Sequence, residues 1–192
     1  IPNDVTLGAY SFSNCKSLKY LTIPNGQTDI KNRFCIGCTS LSRVSIPHGV
    51  TTVDLYAFEG CSIINNITLP TSVKTIKTSS FSNCRVLNDI IMPKVATLGD
   101  SAFANNYNMY KADYLSNVTS IGSSVWKGCY SIVYYDFSKC SSVPTLSSTQ
   151  SFYDIDSDCK IVVPDNLYDT WIAATNWSDL SANIVKASNY SI

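Results

Sequence analysis

Charged side chains are scarce in this chain of 192 residues: they make up 15% of it, and 14 basic groups balance 14 acidic ones. A surface without a net field does not gather polyanions, which excludes nucleic acid, or an anionic membrane, as the main partner. No apolar run approaches the roughly 18 residues of a membrane-crossing helix, so no membrane insertion is expected of this segment. The chain opens on Ile1-Pro2, with neither an initiator Met nor a signal peptide, and reads as a mature or trimmed segment. Histidine occurs once, as His48, and glutamate once, as Glu59. A Ser–His or Cys–His nucleophile would need His48. It follows Pro47 directly and has no periodic counterpart, so it reads as an exposed turn residue, and Glu59 as a solvated one.

What the chain does hold is apolar residues (45%), many Ser, Thr, Asn and Tyr, and eight cysteines. A surface of hydroxyls and amides with few charges is more common outside the cell than in the cytosol, which points to an extracellular or cell-surface location. Four segments share one pattern, Phe12-Ser-Asn-Cys15, Cys35-Ile-Gly-Cys38, Phe58-Glu-Gly-Cys61 and Phe81-Ser-Asn-Cys84, each 23 residues after the last. Pro24, Pro47, Pro70 and Pro93 follow in step. A period of about 20 to 29 residues is the signature of a solenoid.

Anchored on Phe12, Cys35, Phe58, Phe81, Phe103 and Trp126, the period reaches a sixth unit, with one spacing of 22. Five positions before each anchor stands an aliphatic residue: Leu7, Ile30, Val53, Ile76, Leu98, Ile121. Beyond each anchor comes a set such as Leu18, Leu21 and Ile23, or Ile64, Ile67 and Leu69. The last two of each set are two apart, which is strand spacing. This predicts strands at 19–23, 42–46, 65–69, 88–92, 110–114 and 133–137, with the trailing Pro ending each of the first four. A second extended stretch is expected before each anchor, as at 51–54 and 72–76. A lone unit cannot bury its apolar face, whereas stacked units share a continuous core.

The run Ile76-Lys-Thr-Ser-Ser-Phe81-Ser-Asn-Cys84-Arg-Val-Leu87-Asn-Asp-Ile90-Ile-Met92-Pro93 resembles the BspA-like, or Treponema-type, class of leucine-rich repeats. The resemblance covers roughly residues 1–164. It implies an α/β leucine-rich-repeat solenoid, right-handed and β-rich, with a parallel strand ladder of six to seven units. It further implies display on, or secretion from, bacteria or some protists, with adhesion or protein binding as the usual role and no reaction.

One domain is expected over 1–192: regular repeats over 1–138, an irregular last repeat over 139–164, and a cap over 165–192. Periodicity lapses after Ser138, and Cys140–Leu146 and Ser147–Asp158 do not fit the template; Ile161-Val-Val-Pro164 re-enters it late. Asp165 then stands where it would cap a short helix to about Thr175, with Leu167 and Trp171, and Tyr168 and Ile172 beside them, facing inward. Trp177, Leu180 and Ile184 would complete the cover. The Val-Pro-x-x-Leu-x-x-x-Trp segment is similar to the close of BspA-like chains, so the sequence is expected to end near the natural end of its array.

Eight cysteines invite a disulfide framework, and Cys35-Ile-Gly-Cys38 a redox or metal motif. Periodicity argues otherwise. Cys15, Cys38, Cys61, Cys84 and Cys129 share one slot and Cys35 replaces an anchor, so each reads as a small buried apolar residue. Stacked units lie about 4.8 Å apart with parallel side chains, while a disulfide needs Cβ atoms about 3.5–4.5 Å apart and aimed at each other. Cys140 and Cys159, in the irregular segment, are the one pair considered for a bridge. No cofactor or metal is expected. Asp154-Ile-Asp156-Ser-Asp158 starts like a calcium loop but has Cys159 where the loop needs Gly and Asp165 where it needs Glu. Four glycosylation triplets, at Asn66, Asn117, Asn176 and Asn189, are what chance gives in an Asn/Ser/Thr-rich chain.

The outward residues of a strand ladder form one sheet face, the natural contact surface of a solenoid. Its columns run Lys19, Ser42, Asn65, Asn88, Tyr110, Val133; then Tyr20, Arg43, Asn66, Asp89, Lys111, Tyr134; then Thr22, Ser45, Thr68, Ile91, Asp113, Asp136. Aromatics beside charges favour recognition, which singles out Tyr20, Arg43, Tyr110, Lys111, Asp113, Val133, Tyr134 and Asp136. Three readings follow. The first is a monomeric, non-enzymatic module binding a protein or glycan, of host or matrix origin; the second a spacer with no ligand. The third is a carbohydrate-active enzyme using Asp113 and Asp136, whose shared slot sets the carboxylates about 5–6 Å apart, near the separation of a retaining glycosidase.

Overall fold

Each unit carries two short extended stretches, and stacking turns both into ladders. In the computed structural model, which describes residues 1–191, fourteen strands are numbered in chain order. The face predicted for binding holds β1 (Tyr20–Thr22), β3 (Arg43–Ser45), β5 (Asn66–Thr68), β7 (Asp89–Ile91), β9 (Lys111–Ala112), β11 (Tyr134–Asp136), β13 (Lys160–Val163) and β14 (Ile184–Lys186). The second ladder holds β2 (Asp29–Ile30), β4 (Thr52–Val53), β6 (Thr75–Ile76), β8 (Thr97–Leu98), β10 (Ser120–Ile121) and β12 (Thr145–Leu146) as one continuous six-stranded sheet. All pairing is parallel and keeps the repeat register: Tyr20 stands opposite Arg43 and Asn66 opposite Asp89. The first ladder is hydrogen-bonded in three blocks, β1-β3, β5-β7 and β9-β11-β13-β14. Each predicted strand falls inside its predicted range. Only β12, in the stretch that does not fit the template, and β14 lie where no strand was expected.

Between the ladders the anchors form the spine of the core. Phe58, Phe81, Phe103 and Trp126 stack with ring centroids 5.3, 5.8 and 6.4 Å apart. Where Cys35 leaves the slot small, the adjacent Phe34 is buried and packs edge-on against Phe12 at 5.3 Å. Two residues to either side of each anchor the backbone turns left-handed, at Tyr10, Arg33, Tyr56, Ser79, Ser101 and Ser124, and again at Asn14, Gly37, Gly60, Asn83, Asn105 and Gly128. The second column uses only Gly and Asn, which tolerate that conformation best.

The cysteine slot has a polar task as well as an apolar one. Cys38, Cys61, Cys84 and Cys129 donate their thiol hydrogens to the carbonyls of Phe12, Cys35, Phe58 and Phe103, at 2.9 to 3.3 Å, each reaching back to the anchor of the preceding unit. In the fifth unit Asn106 takes this slot and donates from Nδ2 to the Phe81 carbonyl at 3.0 Å. Its Oδ1 is left buried without a partner. All eight cysteines are free, Cys140 and Cys159 included. Seven are buried. Cys15, in the first of the described units, is exposed, and Leu7, Phe12 and Leu18 beside it are only half-buried.

The irregular segment corrects the sequence reading. Residues 139–164 keep the template after all: Leu146 pairs with Ile121, Ile161 with Tyr135, and the Trp126 ring meets Phe152 at 5.4 Å. These spacings are 25 and 26 residues, and the surplus is taken up in loops. The cap also differs. Asp165–Leu167 form a 3-10 turn, and helix α1 covers only Tyr168–Ala173. The Asp165 side chain does not cap it, because its Oδ1 accepts the Ser188 amide at 3.0 Å. Trp171 and Trp177 are fully buried, 5.3 Å apart, and both pack on Phe137, while Trp177 Nε1 donates to the Pro144 carbonyl at 2.8 Å.

Candidate binding face

The eight residues singled out on the strand face fall into two clusters. Tyr20 and Arg43 are direct neighbours across β1 and β3, both exposed, Tyr20 at 68%. Tyr110, Lys111, Asp113, Val133, Tyr134 and Asp136 lie on or directly beside β9 and β11, beyond the intervening β5 and β7. Tyr110 is 55% exposed and Val133 also lies open.

Tyr134 is not exposed as expected. It is 9% accessible, with the ring of Tyr190 at 6.1 Å from its own and with Lys111 and Lys160 opposite it on the neighbouring strands. The reason is the chain after β14, which folds back over this column. Burial raises the Tyr134 phenol above its ordinary pKa; Lys111 pulls it down, and Asp113 and Asp136 add to the rise. Lys111 forms an ion pair with Asp113 Oδ2, while Asp113 Oδ1 is buried and unpartnered. Asp136 Oδ1 accepts the Ser138 amide at 2.8 Å. Both carboxylates of the suggested glycosidase pair are thus held by groups two residues away in the chain.

Glu59 departs from its reading as a solvated turn residue, for it is half-buried. Burial lifts its carboxyl above the ordinary range, with Arg33 and a hydrogen bond to Asn83 pulling the other way. Arg33 lies between two tyrosine rings, 5.8 Å from that of Tyr10 and 4.6 Å from that of Tyr56. His48 is exposed.

Sequence reasoning missed a further set of tyrosines at the edge of the strand face. Tyr107 and Tyr130 stack with centroids 6.3 Å apart and planes within 3°, yet remain 41% and 64% exposed. They are 23 residues apart, a signal legible in the sequence once the slot four residues after the anchor is written out. Beside them opens a cleft of about 280 Å³ lined by Tyr130, Ile132, Val133, Asp156, Asp158 and Cys159, among others. Among the described residues, no three His, Cys, Asp or Glu side chains are grouped so as to hold a metal ion.

Residues 5–133 match the BspA type leucine rich repeat region in six copies. A leucine-rich repeat protein of T. pallidum is similar in structure, with TM-score 0.51 and 24% identity over 65% of this chain and 70% of that one. A leucine-rich repeat protein of Bacteroides ovatus ATCC 8483 gives TM-score 0.44 at 17% identity, covering 85% and 62% of the two chains. The pneumococcal vaccine antigen PcpA gives 0.49 at 17% identity, over 95% of this chain and 38% of its own. No curated protein matches the chain.

Proposed function

Because the chain belongs to the BspA type of leucine-rich repeat proteins, we propose that it is a non-enzymatic binding module. It works at a cell surface or as a secreted protein and engages a protein or glycan through its strand-ladder face. The observation that carries this reading is the open cluster of Tyr110 and Val133 beside the Lys111–Asp113 pair, on a rigid ladder whose neighbouring strands hold it in place. Large rigid aromatics flanked by charges are what hot spots are made of. The hydroxyl- and amide-rich surface supports the location.

The test is a binding screen of the native protein against matrix proteins and a glycan panel, repeated with Tyr110→Ala and Val133→Ser combined. The expected outcome is affinity at least tenfold weaker, since a hot-spot truncation costs about 2 kcal/mol or more, with an unchanged melting temperature. Binding that is indifferent to both substitutions would move the contact elsewhere, and no binding in the screen would favour a spacer.

A further inference from the structure

The cleft beside Tyr130 is a product of irregularity. Tyr130 to Val133 belong to the sixth unit and Asp156 to Cys159 to the longer seventh, and about 280 Å³ opens between them. That is room for about nine waters. The walls differ in chemistry. On one side is Tyr130, one of two coplanar rings that the fold leaves largely open. On the other are the carboxylates of Asp156 and Asp158. Asp156 Oδ1 accepts the Asp158 amide at 2.8 Å and the Ser157 hydroxyl at 3.4 Å, so its other oxygen is uncommitted.

No lysine or arginine among the described residues forms an ion pair with Asp156 or Asp158. Among the described residues, the ion pairs are Lys31–Asp29, Lys77–Asp54 and Lys111–Asp113, none of them here. Of the two nearby lysines, Lys160 donates to the Ser157 carbonyl at 3.0 Å, in the same loop but in an ion pair with neither carboxylate, and Lys127 lies over the Tyr153 ring at 5.4 Å. A cleft lined by an exposed tyrosine and two aspartates, with no lysine of the chain in its lining, suits one ligand class above others. A cation there gains from the ring quadrupole and from the charge-assisted hydrogen bonds at once.

We infer that this cleft receives a basic side chain, lysine or arginine, of a partner protein. The inference rests on the binding reading above and narrows it: the partner is a protein, and its contact extends from Tyr110 and Val133 across the edge of the strand face to Tyr130. Val133 belongs to both surfaces and joins them.

The probes are a tetralysine peptide and the same peptide with every side-chain amine acetylated, titrated against the isotope-labelled native protein by NMR. Tetralysine is expected to shift the amides of residues 130–133 and 156–159, and the acetylated peptide to leave them unmoved. Asp156→Asn combined with Asp158→Asn should weaken tetralysine at least fivefold and Tyr130→Leu two- to fivefold; all three side chains are solvent-facing, and unchanged melting curves would verify the folds. Equal response to the acetylated peptide, stronger response to a neutral oligosaccharide, or no shift at millimolar tetralysine would each overturn the inference. Partner binding in the screen that is lost with Tyr110→Ala but untouched by the Asp156/Asp158 variant would remove the cleft and leave the proposed function standing.

Discussion

At the scale of single residues, position in the stack decides chemistry. Burial pushes the Cys84 and Cys129 thiols up to about 12 and Cys159 to about 11. The hydrogen bond with Cys38, and then burial, push Cys35 up as well. A thiol at 12 is about 10⁻⁵ thiolate at pH 7, and only the thiolate reacts. Cys38 is the exception, drawn below the ordinary thiol value by its hydrogen bond with Cys35, but it is fully buried; N-ethylmaleimide at pH 7 should therefore modify the native protein once, at Cys15, and eight times in denaturant, as intact mass would record. Glu59 supplies a second case. Its proton is held more tightly in the folded protein than in the unfolded chain, so its contribution to stability falls as pH rises from the ordinary carboxylate value, about 4.3, into the raised folded one. Glu59→Gln is expected to raise the melting temperature at pH 7 and to leave it unchanged at pH 3.

The element of this protein is the repeat unit, and its junctions are polar as well as apolar. Every internal unit sends a side-chain donor back to the anchor carbonyl of the unit before it, from cysteine in most cases and from Asn106 in the fifth. Asparagine does this at the cost of a second polar atom, Oδ1, that nothing satisfies. Asn106→Cys keeps the donor and removes the orphan, and should stabilise by about 1 kcal/mol in urea denaturation. Asn106→Ala orphans the Phe81 carbonyl and is expected to cost about 1–3 kcal/mol.

For the whole molecule the two ends are unequal. The first unit leaves Phe12 and Leu18 half-open and Cys15 exposed, whereas the far end is closed by Trp171 and Trp177 on Phe137. In a quasi-one-dimensional array, stability is the sum of units and interfaces, so the closing layer matters to its neighbours. Trp177→Ala opens a cavity against Phe152 and frees the Pro144 carbonyl, and should cost about 3–5 kcal/mol, measured by thermal unfolding.

The solenoid is legible in the sequence alone, because each slot recurs and an irregularity in one unit is outvoted by the others: Leu21, Ile67 and Ile90 can face only inward, as do the cysteines of the inner units, whereas Cys15 is exposed. It also placed Tyr20 next to Arg43 and Tyr110 in the column of Val133. What lies outside the period is set by contacts that only the folded chain makes. The fold-back of Tyr190 onto Tyr134, the entry of residues 184–186 into the ladder and the return of Leu146 and Phe152 to their slots all involve chain with no repeat to read against. So does the cleft between Tyr130 and Asp156, which exists because one unit is longer than the rest. Periodic contacts are local in register and can be read from spacing, whereas contacts made by a loop or a tail depend on where the rest of the chain has already gone.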